Sequence, residues 1–125
     1  AVRLKIEKMK RVSPAQHPWF TYFLIVINVE QVGAGMAGFK GSPDERGEVE
    51  IGYGIHPFFG GRGYMSEAVQ ALVAWAFSHP GCRAITACGV LPDNLASQKV
   101  LLKNGFVEAG QGESGINFRL NRTNL

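Results

Sequence analysis

One run of this chain limits its folds more than any other: a strand, a glycine-rich turn and a long apolar helix, in that order. Val49-Glu50-Ile51-Gly52-Tyr53-Gly54-Ile55 is rich in β-branched and aromatic residues and reads as a strand. Pro57 ends it, and Gly60-Gly61-Arg62-Gly63 makes the turn. Helix then runs from Gly63 or Tyr64 to about Ser78, where His79-Pro80-Gly81 stops it. The apolar positions Met65, Ala68, Val69, Leu72, Val73, Trp75, Ala76 and Phe77 predict a helix covered on more than one side. Arg83 to Val90 is a strand again, so the unit is a βαβ crossover whose two strands run parallel. Such a turn aims successive backbone N–H groups and the positive end of the helix dipole at one point, which suits an anion.

The remaining elements follow from punctuation and periodicity. Phe20 to Asn28 is a strand whose near-continuous apolarity predicts burial on both faces, and Val29 to Val32 is a hairpin-length connection. Gly33 to Lys40 is a second strand whose small residues imply close approach of a backbone or ligand. Gly41 to Gly47 is a polar turn, and Glu48 to His56 is a third strand. These loops are too short for crossovers, which makes the three strands an antiparallel meander. Pro92-Asp93-Asn94 caps a second helix, Leu95 to Lys103, closed by Asn104-Gly105. Phe106 to Ala109 begins another strand, Gly110 to Gly115 is a turn, and Ile116 to Leu120 is a last short strand. Residues 3–12 read as a short helix broken by Ser13-Pro14-Ala15-Gln16-His17-Pro18, and the last five residues as a frayed tail. The fold class is α/β with a mixed sheet.

Composition removes several functions. The 125 residues fit a single domain spanning residues 1–125, and 46% hydrophobic content supplies a core. A net charge of +3 is too small for a nucleic-acid binder. The basic stretch Arg3 to Arg11 is interleaved with Leu4, Ile6 and Met9 and reads as a solvated face of a helix or end-strand. No run reaches the length of a membrane span and no signal peptide is visible, so cytoplasm is the default. Cys82 and Cys88 would sit about 20 Å apart along one strand face, too far to bond. They read as free, buried thiols of a reducing compartment. The chain starts at Ala1 rather than methionine, so its N-terminus is expected to be incomplete.

Three readings compete for the glycine turn. A triphosphate-binding loop needs G-x-x-x-x-G-K-[ST], and this segment has no Gly-Lys-Ser/Thr. A dinucleotide fingerprint needs G-x-G-x-x-G; Gly61-Arg62-Gly63 begins one, but Ser66 stands at its last position. The third is an ordinary structural turn. A second segment decides: Asn94-Leu95-Ala96-Ser97, with Lys103-Asn104-Gly105-Phe106 closing the same helix. Together with Pro57 to Ala68 it resembles the GNAT superfamily of acyl-CoA-dependent N-acetyltransferases. The Gly-Arg-Gly-Tyr-Met-Ser-Glu-Ala run and Glu50-Ile51-Gly52-Tyr53 are most similar to its ribosomal-protein-alanine acetyltransferase (RimJ/RimL-like) branch. The resemblance extends from about Tyr22 to Phe106. It departs from the superfamily's Gln/Arg-x-x-Gly-x-Gly/Ala pattern at Gly60 and Met65, and only Gly63 matches strictly; methionine at the last place is familiar in that branch.

The resemblance implies a GNAT-like sheet with two splayed parallel strands, and acetyl transfer from acetyl-CoA to a primary amine of a small molecule or a protein N-terminus. It implies a pyrophosphate cradle of backbone N–H groups from Gly61, Arg62, Gly63, Tyr64 and Met65 beside Gly60. The Arg62 side chain either contacts phosphate or points to water. Pantetheine would lie in the splay and pair with backbone near Ile55. Glu50 is the candidate proton acceptor for the amine: on alternation Glu48, Glu50, Gly52 and Gly54 share an open polar face. Its plain reading is a sheet-surface charge, and His56 is a secondary candidate. The tyrosine that often protonates the leaving thiolate in this superfamily falls at position 101, which is Leu101 here. Ser97, or water held by Asn94 and Ser97, is the candidate substitute, although both residues also read as helix caps. Tyr53 and Trp75 read as core. Cys88 has no base near it in sequence, so transfer is direct, without an acyl-enzyme. No metal is called for. The superfamily's usual elements ahead of the meander are short here, which leaves room for a non-catalytic acyl-CoA-binding or regulatory module. It equally leaves room for an acceptor pocket shared across a homodimer.

Overall fold

The computed structural model describes residues 2–6, 19, 22–27, 32–55 and 63–122. In chain order the elements are β1 (Val2–Ile6), β2 (Tyr22–Ile27), β3 (Val32–Phe39), β4 (Glu48–Ile55), α1 (Tyr64–Phe77), β5 (Ala84–Val90), α2 (Leu95–Lys103), β6 (Val107–Gly112) and β7 (Gly115–Asn121). Among the described residues one seven-stranded sheet runs β1-β2-β3-β4-β5-β7-β6. The expected meander is present: β2 pairs antiparallel with β3, and β3 with β4. The expected crossover is present too, with α1 joining β4 to a parallel β5.

Alternation decides which sheet face is covered. Val49 and Ile51 of β4, Ile85 and Ala87 of β5, and Phe118 and Leu120 of β7 are buried. Glu48, Glu50, Thr86 and Arg119 between them are half-exposed. Both helices pack on the apolar side. Val69, Leu72 and Ala76 of α1, Leu101 of α2 and Phe106 complete one core with the sheet. Each large side chain buried there contributes about 1.5–3 kcal/mol. Trp19, Phe39, Trp75 and His79 close one end of it as a ring cluster, with Trp75 centroids 4.6 Å from both Trp19 and His79. Trp75 is half-buried and packs against the core.

Two polar devices hold the helices. Asn104 Nδ2, just past α2, donates to Ser66 O and Ser66 Oγ in the first turn of α1, both at 3.2 Å, and to Val100 O at 2.9 Å. Arg122 donates through Nη1 to the carbonyls of His79, Pro80 and Cys82 (3.2, 3.2 and 2.9 Å) and through Nη2 to that of Phe77. The last turn of α1 holds no basic residue, so this guanidinium supplies the missing cation at the helix C-terminus.

Five expectations are corrected. Residues 3–6 are strand β1, not helix, because Val2, Leu4 and Ile6 alternate with Arg3 and Lys5 at the period of a strand. The buried positions of α1 cover about half its circumference, while Glu67, Gln70, Ala71, Ala74 and Ser78 face out, so one broad side is covered. Gly110–Gly112 belong to β6 and Gly115 to β7, which leaves Glu113 and Ser114 as a two-residue turn. Asn121 and Arg122 are tied down rather than frayed. Cys82 is buried but precedes β5, whereas Cys88 lies within β5 and is exposed. Residues 7–18 and 123–125 lie outside the described residues, as do side-chain readings for β2. No helix among the described residues is long and apolar enough to cross a membrane.

Candidate active site

The parallel pair β4–β5 opens almost as soon as it forms. Its register covers only Glu48↔Ala84, Val49↔Ile85 and Glu50↔Thr86; beyond these the two strands no longer pair. The pairing of β5 with β7 shifts between Ala87 and Val90 at the same level. There Gly89 takes φ +73°, a left-handed conformation that side chains other than glycine adopt at a cost. Its N–H turns to Asn117 Oδ1, 3.1 Å away on β7. The bulge lies at the level where β4 and β5 no longer pair.

The opening is a cleft of about 320 Å³. Ile51, Gly52 and Tyr53 form one wall, Ala87 to Leu91 the other, and Lys40, Asn94 and Ser97 the ends. It passes through the sheet, because Ile51, Tyr53 and Ala87 belong to the helix-covered face while Gly52 and Cys88 belong to the polar one. Two polar pairs flank it. On the polar face Lys40 Nζ meets Glu50 Oε2 at 2.7 Å. On the helix side Tyr53 Oη and Ser97 Oγ are 2.8 Å apart. Burial pushes the Tyr53 phenol above its ordinary value of 10.0, and the hydrogen bond with Ser97 partly offsets this.

The predicted residues fall as follows. Glu50 lies on the open polar face as expected, but paired to Lys40 and just outside the cleft lining; Glu48 beside it is taken by Arg119 at 3.0 Å. Ser97 and Asn94 both line the cleft. Asn94 caps α2, its Oδ1 accepting from Ser97 N at 3.1 Å. Ile55 ends β4, its backbone paired with Gly35 of β3. Gly63 is the N-cap of α1 in a left-handed conformation (φ 80°), and makes no side-chain capping bond to the first-turn amides. Among the described residues a Cβ there would meet nothing within 4 Å, so what favours glycine is the conformation. Tyr64 and Met65 open the helix; Met65 is buried in the core, which leaves only its backbone for a ligand. Gly60, Gly61, Arg62 and His56 lie outside the described residues.

The residue that sequence reasoning missed is Tyr53. Alternation placed it with Val49 and Ile51 on the apolar face, and it does pack against the core. Its hydroxyl nevertheless reaches the cleft. The available signal was general: a phenol on a covered strand face needs a hydrogen-bond partner. That partner stands 44 residues away in sequence, so no local pattern identifies it.

Comparison with known proteins agrees with this geometry. A model of the acetyltransferase (GNAT) domain matches residues 2–107. The uncharacterized N-acetyltransferase YjdG of Bacillus subtilis (strain 168) is 46% identical over 81 residues, covering 64% of this chain and 46% of that protein. The crystal structure of ribosomal-protein-S5-alanine acetyltransferase from Vibrio fischeri superimposes with a TM-score of 0.72 at 25% identity, over 81% of this chain and 61% of that one. Spermidine N-acetyltransferase from Vibrio cholerae, solved with CoA and spermine, shares the fold with a TM-score of 0.70 at 15% identity, over 83% and 66% of the two chains. The matches span about half the length of the curated relatives.

Proposed function

Because this chain belongs to the acetyltransferase (GNAT) family, we propose that it transfers an acetyl group from acetyl-CoA to a primary amine, and that transfer takes place in the gap between β4 and β5. One observation carries this reading. Parallel strands that could pair along their length part after Glu50; a hydroxyl pair lines the gap on one side, and the Lys40–Glu50 ion pair stands at its edge on the other. Acetyl transfer to an amine needs both: a group that accepts the amine's proton and a group that supports the departing sulfur.

Acetyl-CoA supplies the acyl group as a thioester. Backbone N–H groups at the start of α1, from Gly63 to Met65 with the preceding Gly60, Gly61 and Arg62, hold its pyrophosphate at the positive end of the helix. The edge of β4 that faces β5, unpaired from Gly52 onward, binds the pantetheine amides as an added strand would. Glu50 takes the proton from the attacking amine on the polar face. Ser97, held by the Asn94 cap, faces the sulfur from the helix side. With no base beside Cys88 on its own strand, transfer is direct. The acceptor is a protein N-terminus or a small amine; of the two solved neighbours named above, one is a ribosomal-protein-alanine acetyltransferase and the other a spermidine acetyltransferase.

Release of the CoA thiol, followed with a thiol-reactive dye against a panel of N-terminal peptides, polyamines and aminoglycosides, tests the reading. Amine-dependent release supports it. Tight acetyl-CoA binding without turnover on any amine would instead identify a non-catalytic acyl-CoA-binding module. An unchanged melting temperature at millimolar acetyl-CoA would remove CoA altogether.

A further inference from the structure

Ser97 is fixed at two points. Its N–H is held by Asn94 Oδ1 at 3.1 Å, and Tyr53 is the one partner of its Oγ among the described residues. Serine hydroxyls in helices commonly fold back onto a carbonyl of the preceding turn. That of Ser97 does not; it spans the mouth of the gap to a different element.

A phenol and a serine hydroxyl carry one hydrogen each, so the pair has two arrangements. In one, Ser97 donates to Tyr53 Oη and the phenol hydrogen turns to Ser97 O. That second contact is 3.4 Å, at the outer limit of a hydrogen bond. In the other, the phenol donates to Ser97 Oγ across 2.8 Å, a full-strength distance, and the serine hydrogen is left to point elsewhere. The space beside it is the cleft that Tyr53 and Ser97 both line. Both arrangements use the 2.8 Å contact; the first adds only the 3.4 Å contact to Ser97 O, and the second frees the serine hydrogen for the cleft.

We propose that Tyr53 is a positioning residue for thioester cleavage: its phenol donates to Ser97 Oγ and thereby turns the serine hydrogen into the gap, toward the sulfur that leaves. The inference rests on the acetyl-transfer reading given above. In that step an N–C bond forms between amine and acetyl carbon, the C–S bond breaks, and its electron pair goes to sulfur. The amine loses one proton and the sulfur gains one, so no further reactant is needed. Ser97 steadies the sulfur's charge by a hydrogen bond while this happens, and Tyr53 keeps that bond aimed. A tyrosine on β4 thus serves, through Ser97, the purpose for which position 101 of α2 has only leucine.

The test compares Tyr53→Phe, Ser97→Ala and the double variant in the full chain, each first shown by melting to be folded. A hydrogen bond to a developing charge predicts that each single variant lowers kcat roughly tenfold to a hundredfold, with the KM for acetyl-CoA changed by less than about threefold. The double variant should be no slower than Ser97→Ala, because the two residues act as one unit. An acetyl thioester of an acidic aryl thiol, whose anion leaves without help, should restore both variants to nearly the wild-type rate. A readout free of turnover reports the contact itself: the Tyr53 phenol, titrated by ultraviolet absorbance, should ionise at higher pH in Ser97→Ala than in wild type, because the phenolate, once formed, loses the serine hydroxyl that turns to donate to it. Wild-type turnover with Tyr53→Phe within twofold of it, or single-variant losses that multiply, overturns the inference and leaves acetyl transfer standing. No wild-type turnover on either thioester overturns both.

Discussion

Replacing Glu50 by glutamine separates the chemical role of this residue from its structural one, and the structure sets both magnitudes. The Lys40–Glu50 pair is short, 2.7 Å, but its side chains are 53% and 31% exposed. Solvent screening limits such pairs to roughly 0.2–1 kcal/mol. Glutamine keeps the shape and an acceptor oxygen for Lys40 Nζ, and the backbone bond from Lys40 N to Glu50 O, 2.9 Å, does not involve the side chain. The expected destabilisation is below about 1 kcal/mol, a melting shift of at most about 5 °C at this chain length. Loss of a general base costs roughly a hundredfold to ten-thousandfold in rate. Steady-state thiol release and melting curves on the same preparations therefore diverge: near-native stability with kcat/KM down at least a hundredfold. The deficit should also shrink as pH rises past about 8, where an α-amine arrives already neutral and needs no base. A Glu50→Gln protein within about threefold of wild type at pH 7 would show that Glu50 is a surface charge held by Lys40, and the base would have to be sought elsewhere.

Three further outcomes follow from the same contacts. Asn104→Ala removes the half-buried tie between α2 and the first turn of α1; chemical denaturation should show a loss of about 1–2 kcal/mol. Arg122→Met keeps the apolar stem but strips four carbonyls at the end of α1 of their cation, and should cost about 2–3 kcal/mol in the same assay. Tyr53 and Cys82 hold their protons more tightly in the folded chain than at their ordinary values of 10.0 and 9.0, burial being the main cause in each. Stability from both groups is complete below about pH 9 and is lost as pH rises through their folded values; the melting temperature should fall on that limb, and less steeply in Tyr53→Phe.

Where local punctuation is strong the chain was legible. Pro92-Asp93-Asn94 and Asn104-Gly105 bracket α2 at its observed limits, and Glu48 to Ile55 alternates cleanly enough to show which face is open. Where composition and period disagree it was not. Arg3 and Lys5 drew a helical reading from a segment whose Val2, Leu4 and Ile6 keep a strand's period. Gly110, Gly112 and Gly115 looked like one long turn but sit in paired strands, Gly110 and Gly115 at φ 125° and 135°. At the candidate site, Asn94 and Ser97, which line the cleft, and Glu50 beside it were singled out because each lies in a motif with local spacing. Tyr53 and Arg122 act through partners about forty residues away, and such pairings exist only once the fold brings them together.

The gap between β4 and β5 as the seat of acetyl-CoA is the central claim, and backbone amide shifts on titration with the coenzyme test it most directly. The account predicts the largest changes at Ile51–Ile55, Ala87–Val90 and Gly63–Met65, with little change on the β1 and β6 edges of the sheet. Saturable shifts confined to another surface, or none at millimolar acetyl-CoA, would contradict it.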